Sequence, residues 1–178
     1  MKGDKFTQLR DRKYWLKNIV EIYPPSLLIL VAMQFFNEGF IIMKMLANQK
    51  LYKDYYMLEP GQAQLFGSLA FIGGNLRIFC GFFIDSRILD KRKTILIIFG
   101  SLQLVTQALL TFYEFEDASS VVICLCINHF ALTFCDTTVE SFIIQQARRD
   151  PEDGQQDLQA FRSFCFGLGT LTGCIIAA

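Results

Sequence analysis

Four charged residues lie well inside long apolar runs of this sequence: Glu38, Arg77, Asp136 and Glu140. A charge at the centre of a bilayer costs about 2.5 to 3.5 kcal/mol on insertion scales, so such a residue calls for a partner, a cavity or a function. His129, Thr133, Asp136 and Glu140 stand at i, i+4, i+7 and i+11, which puts all four on one helix face. Gln34, Asn37 and Glu38, at i, i+3 and i+4, make a second polar stripe. Two readings are open for Asp136 and Glu140: they bond loop basics such as Arg92 or Arg148, or one of them titrates in a working cycle or holds one conformational state. Arg77 either pairs with Glu38 or Asp136, or docks an anionic group. Glu38 stands towards the outer end of its run, and His129 is either a hydrogen-bonded packing residue or a switch near neutral pH.

These side chains need helices that cross lipid. About 20 apolar residues span the hydrocarbon, and the runs predict five transmembrane helices, over residues 27–43, 65–84, 94–113, 121–144 and 161–178, after a tail of residues 1–26. Pro24 and Pro25 break the chain ahead of the first, with Ser26 as its expected cap. Between the second and third runs lies a charged hinge, with Gly81, Asp85, Arg87, Lys91, Arg92 and Lys93. Gly81 is expected to let the helix end press on a neighbour while Asp85 engages that neighbour. Of the seventeen lysines and arginines, only Arg77 falls well inside a run. The tail holds six basic residues, the hinge four and the polar loop of residues 145–160 two, Arg148 and Arg149, whereas residues 44–64 hold only Lys44, Lys50 and Lys53 as basics and the acidic loop Glu114–Ser120 holds none. That asymmetry predicts a cytosolic N-terminus. Small residues at Gly67, Ala70, Gly74 and Gly81, and the Gly169/Gly173 pair, predict close helix contacts. The chain stops on Ile175, Ile176, Ala177 and Ala178 without a polar flank, as expected of the N-terminal part of a longer protein.

Composition narrows the function classes. The 178 residues are 52% hydrophobic and 14% aromatic, with zero formal net charge. The basic residues are split among separate loops, so no nucleic-acid-binding face forms. The first twenty residues are neither a signal peptide nor, with Asp4 and Asp11, a typical transit peptide. The six cysteines lie in or beside apolar runs without a C-x-x-C pair, which reads as packing and not as zinc or redox chemistry. No nucleophile, metal-ligand or phosphate-loop pattern appears, so neither an enzyme nor a cofactor is expected.

Against this background Gly81-x-x-x-Asp85 with Arg92 and Lys93 resembles the loop between the second and third helices of the major facilitator superfamily. The segment Asn75-Leu-Arg77-Ile-Phe-Cys-Gly81-Phe-Phe-Ile-Asp85-Ser86 looks like that of the folate-biopterin transporter family. Asp136-x-x-x-Glu140, then Ala147-Arg148 and Asp157-Leu158-Gln159 before a Gly-rich helix, is similar to the same family's fourth helix and following loop, and Tyr52-Lys53-Asp54-Tyr55 resembles its first outer loop. The sequence departs from the family pattern at Ile78, where a proline is usual, and at Glu38, where an uncharged residue is common; the hinge also lacks a glycine before its basics. The resemblance implies a secondary carrier of two six-helix halves that alternately opens to either side, carrying folates and pterins, often with proton coupling. In that case Arg77 meets a carboxylate or a polar ring edge, Asp136 and Glu140 form an acidic face, and Gly81, Asp85, Arg92 and Lys93 serve the gate. Only helices of a first half are present, so transport requires further helices or a partner. A carrier of the same fold for another organic anion or amino acid, and a membrane subunit that binds partner helices without transporting, are the alternatives.

Overall fold

In the computed structural model, which describes residues 15–85, 92–148, 150 and 154–177, helix is the only regular secondary structure. A short helix α1 (Trp15–Ile22) precedes five long ones: α2 (Pro25–Tyr55), α3 (Pro60–Ile84), α4 (Arg92–Phe112), α5 (Ala118–Ala147) and α6 (Gly154–Ala177). All five are long and apolar enough to cross a membrane. The chain is therefore an all-α multi-pass membrane protein, and its bundle turns apolar residues such as Phe82, Leu104 and Phe112 outwards. A lipid solvent makes that arrangement favourable.

Prolines set two of the starts. Pro24 is extended and Pro25 opens α2, because a proline's missing N–H costs nothing in the first turn. Ser26 therefore lies inside the helix and makes no cap. Pro60 likewise opens α3, several residues before the apolar run itself. The apolar runs thus mark where the helices cross, not where they begin. At its far end α2 continues well past residue 43, as Ile41–Lys50 and then a π-helical turn, Leu51–Tyr55. Residues 40–55 contain neither glycine nor proline. Lys44, Lys50 and Lys53, expected in an outer connection, consequently ride on a helix, with stems that can lie along apolar surface. The actual connection is short and passes through Met57 at φ 50. It is pinned by the Leu58 N–H donating to Tyr52 O at 3.1 Å, and by Tyr56 Oη donating to Phe115 O at 2.7 Å.

Helix α5 is the centre of the bundle and packs on each of the other four long helices. Buried residues make up 61% of its apolar window, against 11% for α4. It buries polar groups accordingly. Asn128 donates from Nδ2 to Gln103 O at 3.1 Å and Thr106 Oγ1 at 2.8 Å, tying α5 to α4. Replacing Asn128 with Leu should cost about 1 kcal/mol, the usual scale of an interhelical hydrogen bond in lipid, and lower the melting temperature in detergent by about 2–4 °C. At the N-terminal side of the bundle, Ile19 and Tyr23 join Val31, Phe35, Val139, Ile143 and Leu158 in one core. The end of the tail is thus packed: Trp15 meets the Phe164 ring edge-on at 6.5 Å.

Close backbone approach occurs at some of the small residues and not at others. A Cβ on Gly73 would strike Cys126 O and lie 2.8 Å from Phe130 N, and a Cβ on Gly169 would strike Phe36 O. Gly173 is in ordinary contact with Met43 and Phe40. Gly67 and Gly81 have nothing within 4 Å of a Cβ position. The expectation that Gly81 lets the helix press on a neighbour therefore fails, and Gly73 supplies the close contact of α3 instead. Gly81→Ala should leave thermal stability within about 0.5 kcal/mol of the parent, as substitutions away from packed features do.

Candidate functional site

The breaks in α3, at Phe71 and Leu76, separate Pro60–Ala70, Ile72–Asn75 and Arg77–Asp85, so Arg77 opens the last piece. Its guanidinium turns towards α5, where Nη2 lies 2.5 Å from Glu140 Oε1. Arg162 of α6 approaches the same oxygen from the other side, Nη2 to Oε1 at 2.7 Å. One carboxylate is thus shared by two arginines on two helices. Arg162 also stacks its guanidinium 4.4 Å from the centre of the Phe35 ring of α2, so all four of these helices meet at one level. At 1.5 Å per residue this level lies about 11 Å in from the N-terminal-side ends of α3, α5 and α6.

One turn further along α5, Asp136 is 5% exposed and its Oδ1 accepts a hydrogen bond from Gln34 Nε2 of α2 at 2.6 Å. Glu38, the next turn along α2, is within electrostatic reach of Arg162 and Arg77, and its Oε2 is buried without a hydrogen-bond partner. Gln34 and Glu38 of the stripe expected on α2 therefore meet Asp136 and Glu140 of α5 across one interior column, while Asn37 lines a cavity beside Gln103 and Gln107 of α4. His129 lies higher in that column with its ring 4.5 Å from Phe71, and Thr133 Oγ1 donates to its carbonyl at 2.8 Å.

Several expected pairings differ. Glu140 bonds arginines of neighbouring helices and not the loop basics: Arg148 is exposed, and Arg92 lies over the Phe142 ring at 5.9 Å. Arg77 takes Glu140 as its partner, and neither Glu38 nor Asp136. Of the hinge, Gly81 faces open space and Lys93 is exposed, while the Asp85 side chain and residues 86–91 lie outside the described residues. Arg162 was not among the expected site residues. Its apolar run begins only at Phe161, which makes it resemble a run edge, but α6 starts at Gly154 and so carries Arg162 two turns into the bundle. Asp157 and Gly154, which prolong the helix on its N-terminal side, were the available signal.

Comparison with known families decides what kind of bundle this is. The protein-family model described as the BT1 family matches residues 38–178, more than half of the chain. The chain belongs to the BT1 family. This is the folate-biopterin transporter family, of major facilitator type, and with five helices among the described residues long and apolar enough to span a membrane the chain is a membrane transporter protein. No curated protein and no solved structure gave a match. The match takes in Arg77, Asp136, Glu140 and Arg162 together with Glu38 at its first residue, while Gln34 lies just ahead of it.

Proposed function

We propose that this protein carries folate- or pterin-type solutes by alternating access, and that the Arg77–Glu140–Arg162 cluster takes part in the cycle. The observation that carries this reading is the single Glu140 oxygen shared between two guanidiniums inside a BT1-family bundle. An arginine's planar fork matches a carboxylate. An anionic solute can take one arginine while Glu140 keeps the other, so binding exchanges an internal ion pair for an external one and the interior is never left with an unpaired charge. Because the cluster joins α3, α5 and α6, such an exchange would loosen contacts between helices, which is how solute binding can be coupled to opening. The neighbouring Asp136 and Glu38 are the acidic groups available for a coupling proton. The basic tail and hinge support placing the N-terminal side in the cytosol.

In this scheme the five helices belong to the first of two halves, and the second faces them across the solute path. Vesicles bearing the full-length gene product should accumulate labelled folate above empty vesicles, and unlabelled pterin should compete. Uptake that is blocked by another organic anion but not by folate or pterin would keep the carrier and reject the solute class. No uptake of any of these solutes would reject transport.

A further inference from the structure

Helix α1 carries a wider apolar face than the bundle uses. At about 100° per residue, Ile22, Trp15, Ile19, Leu16 and Val20 follow one another around one side of it, and positions 17, 18 and 21, a lysine, an asparagine and a glutamate, make up the other. Ile19 is buried in the core with Tyr23, and Trp15 packs against that core. Leu16 and Val20, one turn apart, are left 46% and 59% exposed. Phe164, the ring that Trp15 meets, belongs to an outward apolar line of α6 with Leu168, Leu171 and Ile175, all of them exposed. The overhang of α1 therefore continues the apolar outer surface of the bundle. Pro24 and Pro25 set α1 at the very start of α2, the level at which the crossing begins. A helix with one apolar and one polar side at that level suits the boundary between headgroups and acyl chains. Ahead of it the sequence is basic: Lys2, Lys5, Arg10, Arg12, Lys13 and Lys17 stand against Asp4 and Asp11.

We propose that α1 lies in the membrane surface as an amphipathic anchor, with Leu16 and Val20 at the acyl boundary, and that its partner is a leaflet of anionic lipid. Two observations choose that partner. The exposed ridge runs on into the bundle's outer apolar surface, and the excess of basic residues ahead of it complements a negative headgroup layer. A ridge of two apolar side chains is a weak anchor alone, and surface binding becomes firm when apolar burial and charge act together. Because Ile19 and Tyr23 share a core with Val31 and Phe35 of α2, Ile143 of α5 and Leu158 of α6, the anchor fixes the level of the bundle in the leaflet. It involves no solute and none of the residues of the arginine cluster.

The test uses the full-length protein in lipid nanodiscs, which leave both faces of the bilayer open to a soluble quencher. A bimane label is attached at Val20→Cys or at Glu21→Cys, both exposed positions, and the unsubstituted protein gives the background from native cysteines. In discs of phosphatidylcholine with phosphatidylserine, the label at position 20 should be quenched by bromine-labelled lipid chains and be about fivefold less open to iodide than the label at position 21. In phosphatidylcholine alone that contrast should fall to about twofold or less, and Lys5→Gln, Arg10→Gln, Arg12→Gln and Lys13→Gln together should lower it equally in the anionic discs. Equal iodide access at the two positions overturns the proposal. So does a label at position 20 that is shielded from iodide yet unquenched by lipid, because a protein surface then covers the ridge. A contrast indifferent both to phosphatidylserine and to the four charge changes overturns it as well. None of these readouts depends on uptake, so failure of the transport reading leaves the anchor standing, and failure of the anchor leaves transport standing.

Discussion

Replacing Glu140 with glutamine should cut folate uptake by the full-length protein at least tenfold while the amount of protein in the membrane stays within about twofold. The reason is the shared oxygen. Glutamine keeps the shape but leaves Arg77 and Arg162 facing each other across a neutral group. Two cations about 5 Å apart repel by about 3 kcal/mol at an effective dielectric of about 20, less where solvent screens them. Arg77 is 41% exposed in this part of the bundle, so the smaller figure applies to stability. Function is affected more, because the solute would then meet a splayed pair. Removing one cation as well, as Glu140→Gln with Arg77→Gln, should restore folding stability while leaving uptake low. Arg77→Ala alone should also lower uptake at least tenfold. Uptake within twofold of the parent in Glu140→Gln and Arg77→Ala would remove the cluster from the cycle.

The second large effect is expected at Gly169. A Cβ there would collide with Phe36 O, and one on Gly39 would collide with Phe166 O and lie 2.7 Å from Thr170 N, so α2 and α6 touch backbone to backbone. Neither contact can yield by a side-chain rotation. Gly169→Leu must push the helices apart, at a cost of about 1–3 kcal/mol or more, and it moves α6 with Arg162 away from Glu140. Gly167→Leu is the matched control, since nothing lies within 4 Å of its Cβ position. In detergent, the Gly169 variant should melt many degrees below the parent and lose folate uptake. The Gly167 variant should match the parent in both. Equal behaviour of the two variants would contradict the packing.

That contact was legible: the Gly169/Gly173 spacing pointed to a close helix approach, and the backbone collision does fall on Gly169 and not on Gly167. Sequence reading stops at Gly73 and Gly81: the hinge motif drew attention to the second, whereas the collision with Cys126 O falls on the first. The crossings themselves were legible because apolar runs are dictated by the lipid. Their ends were not, because lysines on long stems and prolines at first turns let a helix outrun its apolar part, as α2 does to Tyr55. The polar faces of α2 and α5 followed from helical spacing. Their pairings did not, since Arg77, Glu140 and Arg162 come from three helices whose relative rotation no local pattern sets.

The shared carboxylate has a consequence for how the chain is made. Arg77 leaves the ribosome roughly 60 residues before Glu140, which at about 5–20 residues per second is a wait of about 3 to 12 s. Through that interval the guanidinium lacks its bonded carboxylate and has only Glu38, already made in α2, within electrostatic reach, while Arg162 comes later still. Retention of the nascent helix beside the insertion machinery until Glu140 emerges would spare it the lipid. A ribosome stalled before residue 140 would release a product that quality control should recognise by its unbonded cation.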